Sequence, residues 1–189
     1  HRLDVYRRRD QPTGCPTLLQ VHGGGWVMGD KREQGRPLML HLAARGWVCF
    51  APNYRLSPRA TWPDHLVDVK RALAWVKTHG MSYGADPGFV VLTGGSAGGH
   101  LVALAALTAN DPRYQPGFED VDTSVSGCVP YYAVYDMEGE TGTKAARVRR
   151  RRLLDRRVIK TTDRQGYREA ALPAAGAQDA PAASFTRGP

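Results

Sequence analysis

The sequence GGSAGG at residues 94–99 constrains the fold more than any other stretch of the chain. It follows an apolar run at 89–93 that is rich in β-branched and aromatic residues, which favours a buried strand. It precedes a run at 101–107 that is rich in Leu and Ala, which favours a buried helix. A serine on a sharp turn between a strand and a helix is the setting of a nucleophile elbow, G-x-S-x-G. The stretch therefore predicts Ser96 as a candidate nucleophile.

Glycines beside this serine have a mechanical purpose. The serine of such a turn is held in a strained backbone conformation, and side chains on its neighbours would collide with the strand or the helix. We therefore take Gly94 and Gly98 as supporting residues of the motif.

A second glycine-rich motif, His22-Gly23-Gly24-Gly25-Trp26, directly follows an apolar strand predicted at 17–21. The two motifs thus follow two different strands of the same predicted sheet. Because chemistry gathers at the carboxyl ends of parallel strands, we expect them to meet at one edge.

The order of the predicted elements indicates an α/β fold with a mostly parallel sheet and flanking helices. Apolar patterning predicts strands at 2–7, 17–21, 47–51, 89–93 and 124–134. Helical spacing and capping residues predict helices at 37–45 and from Pro63 to about His79, besides the helix after the elbow. The Asp86-Pro87-Gly88 stretch is predicted to be a loop.

Charge divides the chain unevenly. Residues 1–140 hold 14 basic and 14 acidic residues, so the whole excess of +8 lies in residues 141–189. The pattern predicts a core at 1–140, a basic helical segment at 141–169 and an irregular tail at 170–189. The arginine run at 149–152 is interpreted as a solvated helix face, with binding to polyanions as the alternative. Because no aromatic residue interrupts that run, specific nucleic-acid binding is not expected.

Composition narrows the class of protein further. No apolar run is long enough to span a membrane, and a cytoplasmic location is the expectation. The three cysteines, Cys15, Cys49 and Cys128, are far apart and have neither disulfide nor metal-site spacing. No metal or other cofactor is expected.

Acyl transfer from an ester to a serine requires an activated hydroxyl, an oriented base and preformed donors for the oxyanion. Ser96 supplies the hydroxyl, and the N–H of Ala97 at the start of the helix can supply one donor. The glycine motif after the second strand can supply others, because glycine lets the backbone approach a substrate closely. For His22 we favour a role in bracing that motif over a catalytic one, and for Asp68 and Asp136 we favour structural hydrogen bonding.

Taken together, the motifs resemble the hormone-sensitive-lipase-like branch of the α/β-hydrolases, which contains bacterial carboxylesterases and lipases. The resemblance extends from residue 1 to about 160. The matching pieces are HGGGW at 22–26, YRLSP at 54–58, Pro63 with Asp68, GADP at 84–87, GGSAGG at 94–99 and VYD at 134–136. It implies that Ser96 is the nucleophile, that Gly24, Gly25 and Ala97 form the oxyanion hole, and that the substrate is a small-molecule ester.

One departure from the family pattern affects the expected activity. The family orders its triad Ser, then Asp or Glu, then His, but all six histidines precede residue 101. The one nearest to Ser96 is His100, on the helix that leads away from the elbow, where it is badly aimed to act as a base. We therefore interpret the chain as a C-terminally truncated esterase with little or no activity. The alternatives are a non-catalytic member of the fold that binds a small ligand, and a basic interaction module.

Overall fold

A five-stranded sheet forms the centre of the protein in the computed structural model, which describes residues 2–10, 12–135, 137, 158 and 169–171. The strands are β1 (Leu3–Tyr6), β2 (Cys15–Val21), β3 (Val48–Pro52), β4 (Ala85–Gly95) and β5 (Gly127–Tyr131). Their order across the sheet is β1-β3-β2-β4-β5. β1 runs antiparallel to β3, and every other neighbouring pair is parallel. The expected α/β fold with a mostly parallel sheet is confirmed.

Three α-helices connect these strands. They are α1 (Arg36–Ala44), α2 (Asp64–His79) and α3 (Ala97–Leu107). Short 3₁₀ turns lie at Gly80–Tyr83 and Pro112–Tyr114. α1 ends where the sequence predicts, because Gly46 takes the left-handed backbone that closes a helix (φ 88°).

The core fills the space between the helices and the sheet. Residues of β2 and β3 are buried almost throughout, as expected for central strands covered on both faces. α2 buries one apolar stripe, and the members of that stripe are Leu66, Val69, Leu73 and Val76. Cys15, Cys49 and Cys128 are buried free thiols.

The expected loop at 86–88 is wrong, because these residues belong to β4. The pairing of β2 with β4 steps from Cys15 opposite Ala85 to Thr17 opposite Val90, so β4 holds extra residues at this point. The Thr17 hydroxyl bonds the carbonyl oxygen of Asp86 at 3.0 Å, which keeps the bulged segment in the sheet. Proline and glycine are tolerated there because the regular ladder is interrupted.

Several expectations fall beyond the residues that the structure describes. Asp136 and the arginine run at 149–152 lie outside them, as do most of the 141–169 segment and of the 170–189 tail. The division into core, basic segment and tail stays a prediction.

Candidate active site

The turn at Ser96 joins the last residue of β4, Gly95, to the first residue of α3, Ala97. Ser96 has φ 56° and ψ −120°, a conformation that side-chain-bearing residues rarely adopt. Its N–H donates to the carbonyl oxygen of Tyr131 at the end of β5 (3.0 Å), and its own carbonyl accepts from the His100 N–H (3.0 Å). Two neighbouring elements thus hold the strained turn in place, as is common at functional sites.

Gly94 and Gly98 are required by close contacts between backbones. A Cβ on Gly94 would lie 2.7 Å from the carbonyl oxygen of Val21 and 2.7 Å from the carbonyl carbon of Gly98. A Cβ on Gly98 would lie 2.5 Å from the carbonyl oxygen of His22, and closer still to that of Val21. The first turn of α3 therefore packs directly against the point where β2 enters the glycine motif.

The glycine motif, here called the glycine loop (residues 22–26), lies beside the serine. A Cβ on Gly23 would be 3.3 Å from the Cβ of Ser96, so the two motifs meet as expected from the sheet. Gly24, Gly25 and Trp26 have φ of 110°, 60° and 62°, which explains why glycine fills the first two of these positions.

Three further hydrogen bonds hold the loop. The Gly24 carbonyl accepts from the N–H groups of Val27 and Met28, both at 3.1 Å. The N–H of Gly23 donates to Oε1 of Gln34 at 2.9 Å.

The predicted oxyanion donors are available for a ligand. In the part of the chain that the structure describes, the N–H groups of Gly24, Gly25 and Ala97 donate to no protein acceptor. Ala97 begins α3, and the first N–H groups of a helix have no partner within it. The partial positive charge of the helix N-terminus also favours an anion at this place.

His22 packs inside the protein behind the loop. Its ring stacks on Tyr54 with centroids 4.4 Å apart, and its Nδ1 lies 2.8 Å from the carbonyl oxygen of Gly23. The Tyr54 hydroxyl donates to the carbonyl oxygen of His22 at 3.1 Å. Burial lowers the pKa of His22, so the ring is neutral at neutral pH. These contacts suit a residue that braces the loop.

An ion pair fixes the segment that carries Tyr54. Asp68 accepts from the backbone N–H of Arg55 (2.9 Å), from its Nε (2.8 Å) and from its Nη2 (2.8 Å). The Asp68 side chain is only 1% exposed, so α2 presents a buried carboxylate to this segment. The structural role expected for Asp68 is consistent with this geometry.

His65 and His100 are both buried neighbours of the site. His65 Nε2 lies 3.0 Å from the Ser57 hydroxyl. His100 Nε2 lies 2.7 Å from the carbonyl oxygen of Ala170, and its ring meets that of Trp26 edge-on. Burial lowers the pKa of each histidine to about 4. Neither ring points its basic nitrogen at the Ser96 hydroxyl within hydrogen-bonding distance.

These two histidines should make the protein sensitive to mild acid. Their folded-state pKa of about 4 lies below the ordinary value of about 6.5, so the unfolded chain binds these protons first. Stability that is complete above pH 6.5 is therefore lost as the pH falls toward 4, with a slope of up to about 1.4 kcal/mol per pH unit for each histidine. Urea unfolding at pH 7, 6 and 5 measures that slope.

His100→Gln is the informative variant, because a glutamine amide can still donate toward Ala170. It should reduce the slope by an amount that corresponds to about one proton. Equal slopes for His100→Gln and the parent would contradict the assignment.

The sequence motifs pointed to the serine, the glycine loop and His22, and the structure places the two motifs side by side, but two contacts were missed. Gln34 bonds the loop from a polar stretch that carries no motif, so nothing in the sequence marked it. His100 contacts Ala170, which is remote in sequence, and no local pattern reports such a contact. Within the described ranges no three metal-binding side chains cluster, and no helix there has the length and apolarity needed to cross a membrane.

Comparisons with known proteins show which family the chain resembles as a whole. Residues 3–175 match the BD-FAE family. The chain is 54% identical over 184 residues to the probable carboxylic ester hydrolase LipM of Mycobacterium tuberculosis, covering 95% of this chain and 42% of that protein. It is 56% identical over 137 residues to the esterase LipQ of the same organism, covering 71% of this chain and 32% of that protein. The chain thus spans less than half the length of these two relatives.

A solved esterase structure has a similar fold. Inhibited esterase B from Lactobacillus rhamnosis superposes with a TM-score of 0.74 at 25% identity, covering 89% of this chain and 55% of that one. The likeness extends over most of the chain described here.

Proposed function

The chain belongs to the BD-FAE family of α/β-hydrolase esterases, and from this premise we propose that it is the core of a serine ester hydrolase acting through Ser96. Its relatives are named carboxylic ester hydrolases and esterases. The single observation that carries the proposal is the position of Ser96, on a strained turn between β4 and α3 with the glycine loop beside it.

In the proposed reaction the Ser96 oxygen attacks the carbonyl carbon of a small-molecule ester. The electron pair of the C=O bond moves onto the oxygen, which is stabilised by the N–H groups of Gly24, Gly25 and Ala97. Collapse of this intermediate breaks the bond to the alcohol oxygen, the departing alcohol takes up the proton that Ser96 lost, and an acyl group stays on the serine. Water then attacks the acyl carbon, the acid departs, and Ser96 recovers its proton. Each donor to the oxyanion is typically worth about 10²–10³ in rate.

These proton transfers need a base, and the histidines of the chain are poorly placed to act as one. His22, His65 and His100 are buried and engaged with other partners, as described above. The family order places the catalytic histidine after the acid, and no histidine follows residue 100. We therefore propose that the chain by itself hydrolyses esters poorly, although the oxyanion donors can leave a residual rate.

The engagement of His22, His65 and His100 with other partners also favours a second function. A member of the fold in which no base faces Ser96 can still hold a small ligand beside that residue. Such a protein would bind esters or carboxylic acids without turning them over.

Labelling with a fluorophosphonate tests the proposal directly, because phosphorus bonds to the serine oxygen only when that oxygen is exposed and nucleophilic. We expect slow labelling of the parent chain at Ser96, identified by peptide mass spectrometry, and none of Ser96→Ala. Hydrolysis of p-nitrophenyl butyrate should be weak, and it should depend on the same serine.

The outcomes separate the two functions. Serine-dependent turnover at ordinary enzyme rates would contradict the proposed low esterase activity. It would also show that another residue acts as the base. Ligand binding with no labelling of Ser96 at any concentration of the reagent would favour the non-catalytic function.

A further inference from the structure

Tyr132, the first residue after β5, has an unusual combination of backbone and exposure. Its φ is 37°, in the left-handed region that favours glycine. Its side chain is 77% exposed, so no burial of the ring compensates for this backbone. A large residue kept in such a conformation at the surface is more easily explained by function than by stability.

The ring of Tyr132 lies against the serine turn. A Cβ placed on Gly95 would be 2.5 Å from the Tyr132 hydroxyl oxygen and 2.8 Å from the ring carbon that carries it. The preceding residue, Tyr131, holds the N–H of Ser96 through its carbonyl oxygen. Tyr132 is therefore fixed next to the nucleophile by the same strand end that supports the turn.

Strand order places Tyr132 opposite the glycine loop. β4, which carries the turn, lies between β2 and β5 in the sheet. The glycine loop follows β2, and Tyr132 follows β5, so the two flank Ser96 from opposite sides. An ester whose carbonyl oxygen points toward the glycine loop must direct another of its groups toward the phenol.

We propose that Tyr132 is a specificity-determining residue that limits the group of the ester on its side of Ser96 to a short one. This inference rests on the proposed function, since it names the substrate class of the same site as short-chain esters. The aromatic ring, rather than its hydroxyl, sets the limit. A glycine at 132 would fit the observed backbone and would open the space between position 132 and the glycine loop, here called the cleft.

A test that does not need an activated serine uses Ser96→Cys as the background. The native thiols Cys15, Cys49 and Cys128 are buried, so the new thiol reports access to position 96. Methyl methanethiosulfonate and benzyl methanethiosulfonate transfer a small and a large group to the same sulfur atom. Comparing their reaction rates therefore measures how much space there is beside position 96. Adding Tyr132→Gly should raise the benzyl rate at least tenfold and change the methyl rate less than twofold.

Three further variants make the result specific. Tyr132→Phe keeps the ring and should behave as the parent does. Met81→Ala removes another exposed side chain (66% exposed), one that precedes β4 at the opposite edge of the sheet, and should change neither rate. Tyr132→Asn replaces the glycine variant if that variant loses cooperative thermal unfolding, because asparagine also tolerates a left-handed backbone.

An unchanged benzyl rate in Tyr132→Gly would overturn the proposal, and so would an equal rise of both rates, which indicates a loosened turn rather than a wider cleft. These thiol rates are independent of the fluorophosphonate result. A selective rise in the benzyl rate without labelling of Ser96 would support the size limit set by Tyr132 and refute only the catalytic function.

Discussion

Replacing Gly98 with alanine should lower the free energy of unfolding by about 3 kcal/mol or more, or prevent folding altogether. The added methyl group would meet the carbonyl oxygens of Val21 and His22, which are backbone atoms and cannot rotate away. Relief requires α3 to move away from the end of β2, and this movement separates the turn at Ser96 from the glycine loop. Urea unfolding followed by circular dichroism measures the loss.

Gly127→Ala is the matched control for this prediction. Gly127 begins β5 in the same sheet, and among the described residues an added Cβ there meets only a side-chain carbon of Val91 at 3.8 Å, an ordinary contact. Its urea midpoint should stay close to that of the parent. If Gly98→Ala unfolds at the same urea concentration as Gly127→Ala, the close packing of α3 on β2 is wrong.

Replacing Asp68 with alanine should cost about 3 kcal/mol of stability, because it removes three hydrogen bonds that a buried carboxylate accepts from Arg55. The Arg55 side chain is 49% exposed, so water can solvate its guanidinium group once the carboxylate is gone. The loss of stability should therefore be at the lower end of the range for a broken buried ion pair. The backbone N–H of Arg55 also loses its acceptor. A lower urea midpoint with an unchanged slope identifies a pure loss of stability.

Asp10→Ala provides the comparison for an exposed pair. Asp10 bonds Arg8 at the surface, and its side chain is 68% exposed. Pairs of this kind contribute little, so the midpoint should not move measurably. Similar shifts for Asp10→Ala and Asp68→Ala would show that burial of Asp68 has no energetic consequence.

Asp68→Ala should also disturb the site at a distance. The segment that Arg55 anchors carries Tyr54, whose ring and hydroxyl support His22. The same variant should therefore slow the labelling of Ser96 by a fluorophosphonate more than Asp10→Ala does.

The sequence predicted those parts of the fold whose cause is local. Ser96 between a β-branched run and a Leu/Ala run is enough to predict a strand, a sharp turn and a helix. The spacing of Leu66, Val69 and Leu73 likewise predicts α2, because one face of a helix must be apolar to pack on a sheet.

The failures have a different cause, which is contact between segments remote in sequence. Asp86, Pro87 and Gly88 read as a loop, yet the Thr17 hydroxyl on the neighbouring strand keeps them in β4. No local pattern could show that the ring of Tyr132 would lie on Gly95, since this depends on β5 joining β4 in register. Part of the candidate site therefore becomes visible only when the sheet is assembled.

The order of the strands supports the glycine loop and Tyr132 in different ways. β2 is hydrogen-bonded to β3 on one side and to β4 on the other, so the glycine loop grows from a strand that is held along both edges. Within the described sheet β5 is bonded to β4 alone, and the phenol of Tyr132 extends from its exposed end. The glycine loop is therefore supported through two neighbouring strands, whereas the place of Tyr132 beside the turn depends on β4 and on the hydrogen bond from Ser96 to Tyr131.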